Sequence, residues 1–170
     1  VEITQLGMEH EKALLNFLAD FTNAGEMDIP GYFVDSDWSH AEIVENLARM
    51  SRGEGLPDGW VPGTTSFLVH EGEILGVSNL RHRLTCHLLR FGGHVGFSVK
   101  PSARCRGHAT RLLEGAKALA CVKGIDRLLV TCNAENVASV RVIEKCGGVL
   151  EDEMYLEDVG EVIRRYWIAL

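Results

Sequence analysis

Phe97-Ser98-Val99-Lys100-Pro101-Ser102-Ala103-Arg104-Cys105-Arg106-Gly107-His108-Ala109-Thr110-Arg111-Leu112 changes character twice along its length. An apolar, strand-like run stops at Pro101, a basic loop follows, and a helical pattern begins around Gly107-His108-Ala109. The first turn of a helix leaves four backbone N–H groups without intrahelical partners, and the helix dipole favours negative charge there. Strand, cationic turn and helix start together make a cradle for an anion such as phosphate. Gly107 and Ala109 are small enough to let that group approach the backbone. Lys100, Arg104, Arg106, His108 and Arg111 crowd the stretch with no acid among them, in a chain of net charge -7. Taken alone, the same residues also describe a basic surface loop capping a core helix.

Outward from this stretch the pattern alternates between strand and helix. Val95–Val99 is the strand that feeds the loop. Gly107–Lys123 is a helix with Ala109, Leu112, Leu113, Ala116, Leu119 and Ala120 on its inner face, ended by Gly124. Arg127–Cys132 has the aliphatic, β-branched content of a buried strand. A helix over 135–146 stops at Gly147-Gly148, and strands are expected at Val149–Leu156 and Glu161–Ile168. On the N-terminal side, Val1–Leu6 opens as a strand and the spacing of Leu14, Leu15, Phe17, Leu18 and Phe21 predicts a helix over 8–22. Asn23–Ser39 reads as a loop. Ser39 then caps a second helix that carries Ile43, Leu47 and Met50 on one face. Thr64–His70 and Glu73–Leu80 form an antiparallel pair around Glu71-Gly72. Cys86–Phe91 is a connection with no assigned structure.

The chain has 170 residues, 46% hydrophobic and 24% charged, which suits one soluble α/β (α+β) domain over 1–170. No apolar run reaches the roughly 20 residues of a membrane helix. The N-terminal residues lack the basic start and apolar core of a signal peptide, so a cytoplasmic protein is expected, with no membrane partner. The acidic balance argues against nucleic-acid binding, which needs a broad basic face. Cys86, Cys105, Cys121, Cys132 and Cys146 are odd in number and scattered, as reduced thiols are. The spacing of His82, His87 and His94 fits no metal motif, and no metal is expected.

Arg104, Gly107 and Ala109 fit the pattern Gln/Arg-x-x-Gly-x-Gly/Ala, and Asn133 to Gly148 contains Asn136-x-x-Ser139 and Lys145-Cys146-Gly147. Two such motifs in this order resemble the acetyl-coenzyme A signatures of the GNAT superfamily of N-acetyltransferases. The second is also similar to that of the ribosomal-protein N-terminal acetyltransferases. The resemblance implies a GNAT fold: a central, mostly antiparallel mixed sheet splayed between its fourth and fifth strands and flanked by about four helices. It implies acetyl transfer from acetyl-coenzyme A to the amine of a small molecule or peptide by direct attack. The oligomeric state is left open, a homodimer included. A Rossmann-type dinucleotide site is disfavoured, because Gly92-Gly93-His94-Val95-Gly96 precedes a strand and lacks the required spacing.

Site residues follow from the same resemblance. Phe97, Ser98, Val99, Arg104, Cys105, Arg106, Gly107, His108, Ala109, Thr110, Asn133, Asn136 and Ser139 are expected to bind the cofactor. Asn133 and Asn136 also suit plain helix capping. Many relatives carry a tyrosine seven residues after the helix-start asparagine to protonate the thiolate; here that position is Ile143. Ser139 is the substitute acid. The general base is sought among Glu151, Glu153 and His94, the two glutamates sharing a strand face by their spacing. Arg81, His82, Asp35 and Trp38 are the expected acceptor contacts, an acid beside an aromatic ring suiting a cationic amine. Without acid and base, the same fold reads alternatively as a non-catalytic acyl-coenzyme A binding or regulatory module.

Overall fold

The computed structural model describes residues 1–158 and 160–170. Seven strands form two antiparallel sheets side by side. β1 (Glu2–Thr4), β2 (Gly63–His70), β3 (Glu73–Arg81) and β4 (Val95–Val99) follow one another in the first. The second holds β5 (Arg127–Asn133), β6 (Val149–Leu156) and β7 (Glu161–Ala169), with β7 in the middle. Among the described residues no strand ladder joins β4 to β5, so the splay expected of the sheet divides it into two.

Five helices surround the sheets: α1 (Glu11–Asn23), α2 (His40–Arg52), α3 (Cys86–Arg90), α4 (His108–Val122) and α5 (Val137–Lys145). α1 and α2 cover one face of the first sheet, packing Leu14, Phe17, Phe21, Ile43 and Leu47 on Phe67, Val69, Ile74 and Val77. Leu80, of opposite parity to Val77, turns to the other face. There α4 lays Leu113, Ala116 and Ala120 across Leu80 and Val95 of one sheet and Leu128 and Val130 of the other. The helix lies so close that a Cβ on Gly76 would stand 2.8 Å from Leu112 Cδ1. α4 is thus the element that spans the break.

The ends of the helices follow the sequence closely. Ser39 Oγ accepts from Glu42 N–H while the Glu42 carboxylate accepts from Ser39 N–H, a reciprocal capping box. Gly124 turns left-handed at φ 72°, letting Ile125 N–H reach Ala120 O at 3.0 Å. The N-terminal helix is divided, with a 3₁₀ turn at Met8–His10 before α1. Cys86–Arg90 is a short helix capped by Thr85, whose hydroxyl accepts from Leu88 N–H. No helix among the described residues is long and apolar enough to cross a membrane.

β6 departs from its expected regularity. Leu150 lies opposite Tyr166 and Asp152 opposite Arg165, so Glu151 is one residue more than the partner strand provides. An extra residue inverts the alternation of faces at that point. Glu151 and Asp152 consequently meet the same guanidinium, at 3.0 and 2.9 Å from Arg165 Nη1. The expectation that Glu151 and Glu153 share a face by their spacing does not hold through this bulge.

Candidate active site: a cleft between the two sheets

Main-chain hydrogen bonds determine which groups face the gap between β4 and β5. Arg81 N–H donates to His94 O and Lys100 N–H to Leu75 O, which turns the even-numbered residues of β4 toward β3. Alternation then points the N–H groups of Val95, Phe97 and Val99 toward β5. Across the gap, Ala134 N–H donates to Val162 O and Leu170 N–H to Asp126 O, so β5 engages β7 through its even residues. Leu129, Thr131 and Asn133 are left facing β4. Beyond Leu129, two strand edges therefore confront one another without a ladder between them.

One end of the gap is closed. His94 N–H donates to Leu129 O at 2.7 Å, and Leu129 N–H donates back to His94 Nδ1 at 2.9 Å. Gly92 N–H reaches Thr131 Oγ1 at 3.0 Å, and Arg81 Nη1 donates to the carbonyls of Gly92 and Gly93. A Cβ on Gly93 would stand 2.4 Å from Leu129 O, so no side chain fits there. Because His94 Nδ1 accepts, its proton sits on Nε2. Burial, aided by the charge of Arg81, pushes the pKa of this imidazole down to about 4.

The other end opens into a cleft of about 620 Å³ lined by β4, β5, the 103–110 loop and the start of α5. Cys105 at φ 61° and Gly107 at φ 80° are both left-handed and fold the loop back on itself. A Cβ on Gly107 would meet nothing within 4 Å. No side chain caps α4, and its main-chain bonding begins only with Arg111 N–H to Gly107 O. The N–H groups from Cys105 to Thr110 thus have no partner among the described residues.

The side chains around these donors are less free than their sequence implies. Arg104 is held bidentately by Glu26 at 2.7 and 2.6 Å, donates through Nε to Val99 O, and lies over the Phe21 ring. The hydrogen bond from Arg104 holds the Glu26 carboxyl below its ordinary pKa. Lys100 pairs with Glu73 at 3.0 Å. His108 lines the cleft and is held toward its neutral form, first by desolvation and then by Arg111, Arg106 and His70. On the α5 side, Asn136 Oδ1 caps the helix by accepting from Ser139 N–H, and Asn133 Oδ1 accepts from Glu135 N–H. Both asparagines, the Ser139 residue and the fully buried Ile143 line the cleft. So does Cys132, whose pKa burial raises to about 11, keeping it a thiol.

Residues 3–149 match the family model described as an acetyltransferase (GNAT) domain. The chain belongs to the GNAT acetyltransferase family. Among solved structures, this GNAT fold is shared with the Salmonella typhimurium acetyltransferase that modifies the N-terminal serine of ribosomal protein L7/L12. That pair is 15% identical over 99% of this chain and 94% of the other, with a TM-score of 0.69. A ribosomal-protein-alanine N-acetyltransferase from Brucella melitensis is 16% identical over the whole of both chains, with a TM-score of 0.67. The putative acetyltransferase yncA of Salmonella typhimurium, solved with acetyl-CoA, is 13% identical over 99% and 93%, at a TM-score of 0.66. No curated protein sequence matches.

Within this GNAT domain, Phe97, Ser98, Val99, Arg104, Cys105, Gly107, His108, Ala109, Thr110, Asn133, Asn136 and Ser139 come together around one cleft. Arg106 lies outside its lining. The expected bases lie elsewhere. Glu151 and Glu153 sit on β6, separated from β5 by β7, which puts them two strand spacings or about 10 Å away. They are paired with Arg165 and Arg164. His94 is the joint at the closed end, its ring acceptor already occupied by Leu129 N–H. Arg81 and His82 are likewise structural: Arg81 holds Gly92 and Gly93, and His82 Nε2 bonds Thr64 Oγ1 at 2.8 Å. Asp35 and Trp38 line an adjoining groove beside α1 and do not reach the cleft itself. The sequence reading missed Phe21, Glu26, Asp28 and Pro30 on the near wall of the cleft. Phe21 was read only as part of the apolar face of α1, and the sole sequence signal of Glu26, Asp28 and Pro30 is their place in the polar, Gly- and Pro-containing loop after that helix.

Proposed function

We propose that this acetyltransferase moves the acetyl group of acetyl-coenzyme A to a primary amine by direct attack, without a covalent enzyme intermediate. The run of unpartnered N–H groups from Cys105 to Thr110, opening onto a slot of unpaired strand edges, carries this reading. These donors suit a pyrophosphate, and an added Cβ at Gly107 meets no protein atom. The N–H groups of Val95, Phe97 and Val99 and the opposite edge at Thr131 and Asn133 suit an amide-bearing arm. The cofactor supplies the activated thioester; the remaining tasks fall to the protein. One inward N–H of β4 is placed to donate to the oxyanion as it develops. Ser139 offers the hydroxyl for the departing thiolate, since Ile143 has no proton to give. A thiol of pKa about 8.5 needs little help at neutral pH, which caps the serine's contribution near 2 kcal/mol.

Deprotonating a lysine-like amine costs about 4–5 kcal/mol at pH 7, so the proton on the acceptor is the larger problem. Asp28 is the cleft-lining carboxylate with no ion pair among the described residues; it draws the ammonium in, which then gives its proton to water and moves on to the thioester as the neutral amine. The reading is of one domain over 1–170 that acts in the cytoplasm. Both small amines and peptide N-termini belong among its acceptors to be tested, because a structural neighbour modifies a protein N-terminus. Ile143 at the tyrosine position favours a second reading, a module that binds acyl-coenzyme A without turnover. Thiol release from acetyl-coenzyme A over a panel of such amines separates the two. Ser139→Ala should lower kcat up to about thirtyfold while leaving coenzyme A affinity within about twofold. No release with any amine, with coenzyme A still raising the Tm, would leave only the binding module.

A further inference from the structure

The two sheets are covered unequally. α1 and α2 take one face of the first and α4 the other, while the second has α4 and α5 on its inner face and the five-residue α3 on its outer one. Leu128, Val130, Tyr166 and Ile168 point inward, so alternation turns Leu129, Arg165 and Trp167 outward, with their β6 partners Asp152 and Val149. On this outer face Arg165 Nε donates to Leu89 O at 2.8 Å, which seats α3 on the strands. The helix is too short to cover them. Val149 stays 70% exposed beside Trp167, and Leu89 and Phe91, at the end of α3, are 39% and 38% exposed. Charge on this flank is sorted into two strips. Residues 81–94 carry three arginines, three histidines and no acid. Of these, Arg83, His87 and Arg90 are exposed and have no ion pair among the described residues. On β6, Glu151 and Asp152 share the single guanidinium of Arg165, which leaves one negative charge unmatched. Arg165 touches both strips and so fixes them side by side.

We infer that this flank is an isologous contact through which two copies of the chain form a closed dimer. A two-fold rotation lays α3 of each copy over β6 of the other. Arg90 then faces the partner's Glu151, while Leu89 and Phe91 cover the partner's Val149. Such a rotation needs one surface that carries both halves of the match, and the cationic strip beside the anionic one supplies them. An acidic partner of another kind would satisfy α3 alone and leave the surplus charge of β6 unanswered. The apolar groups between the strips lose water in the same contact, which adds a driving force that salt does not screen. α3 continues into the Gly92–His94 turn, so the partner also braces the sealed end of the cleft from outside.

Sedimentation velocity of the whole chain tests this, with a species of twice 18.8 kDa expected to predominate at about 10 μM protein. Arg90→Glu and Glu151→Lys each set like charges against one another across the axis, and each should weaken the dimer at least tenfold. An equimolar mixture of these two variants restores opposite charges at both contacts, and association should return to that of the parent chain. Val149→Asp, at a side chain already exposed in the single copy, should also weaken association at least tenfold. Tyr155→Asp, 63% exposed on the other face of β6, should leave it unchanged. An unaltered far-UV circular dichroism spectrum shows that each variant is folded. A monomer at every concentration up to about 100 μM overturns the assignment. So does a dimer unmoved by Arg90→Glu, Glu151→Lys and Val149→Asp, or a mixture no more associated than its two components. Dissociation by Tyr155→Asp would place the contact on the edge of β6 and overturn it equally.

Discussion

The gap between β4 and β5 is sealed at one end and open at the other, and both ends are built from the same kinds of residue. Arg81, Gly93 and His94 stand at the sealed end, Arg104, Gly107 and His108 at the open one. They differ in where the main-chain groups go. At the sealed end each donor has an acceptor: His94 N–H has Leu129 O, Leu129 N–H has the imidazole, and Arg81 has two carbonyls. At the open end the N–H groups from Cys105 to Thr110 have none. A histidine or arginine beside a glycine is thus no guide to a binding site by itself. The accounting of hydrogen bonds decides between joint and cradle.

The largest effect is expected at the open end. Gly107→Glu places bulk and negative charge where the donors converge, and coenzyme A affinity should fall at least about a thousandfold, some 4 kcal/mol. Thermal-shift titration reads this directly, with an unchanged far-UV circular dichroism spectrum as the control for folding. A shift as large as that of the parent protein would show that the open donors are no cradle.

At the sealed end the expected effect is on stability and its pH dependence. His94 is neutral in the folded protein down to about pH 4, whereas in the unfolded chain it takes up a proton near pH 6.5. The unfolded state binds more protons between these values, so stability falls as pH drops from 6.5 to 4, by up to about 3 kcal/mol, and is flat above. His94→Ala removes that slope and leaves Leu129 N–H buried without an acceptor, costing about 1–3 kcal/mol at pH 7. In urea unfolding, the gap between parent and variant should therefore narrow as the pH is lowered. A constant gap would deny the imidazole its role as the acceptor in the joint.

Smaller than either is the effect of Glu26→Gln. It frees the Arg104 guanidinium beside the cradle, and coenzyme A affinity should rise up to about tenfold by titration calorimetry. Stability should change by less than about 1 kcal/mol, because the pair is partly exposed. Unaltered affinity would mean that Arg104 serves the wall and not the anion. Smallest of all, Glu151→Gln and Glu153→Gln should leave the pH profile of kcat/KM in place, rising through neutral or mildly alkaline pH. A displaced rising limb in either would bring β6 into the chemistry.

Much of this architecture was legible because local chemistry and tertiary packing agree. Ser39 with Glu42, Gly124 after α4, and the aliphatic run of β5 each specify their element within a few residues. The 97–112 stretch was legible for the same reason: strand, turn and helix start are contiguous in sequence. What escaped is long-range or depends on parity. Glu26 meets Arg104 across 78 positions, and nothing local in either residue announces the other. The bulge at Glu151 has no glycine or proline to mark it, yet it reverses the faces on which the choice of base rested. Arg81 looked like a ligand contact because the two carbonyls that hold it belong to the following connection.

The position of α4 across the break has a mechanical consequence. The sheets, joined by hydrogen bonds at the His94 end, form two plates that meet at one edge, and the helix packs behind the opening between them. Its contact residues toward both plates include Ala116 and Ala120, which admit no slack. Enlarging either one is expected to widen the far aperture without touching a single group that lines it, which coenzyme A affinity would read. The width offered to a ligand is thereby written on the back of the cleft, in residues that never meet what it holds.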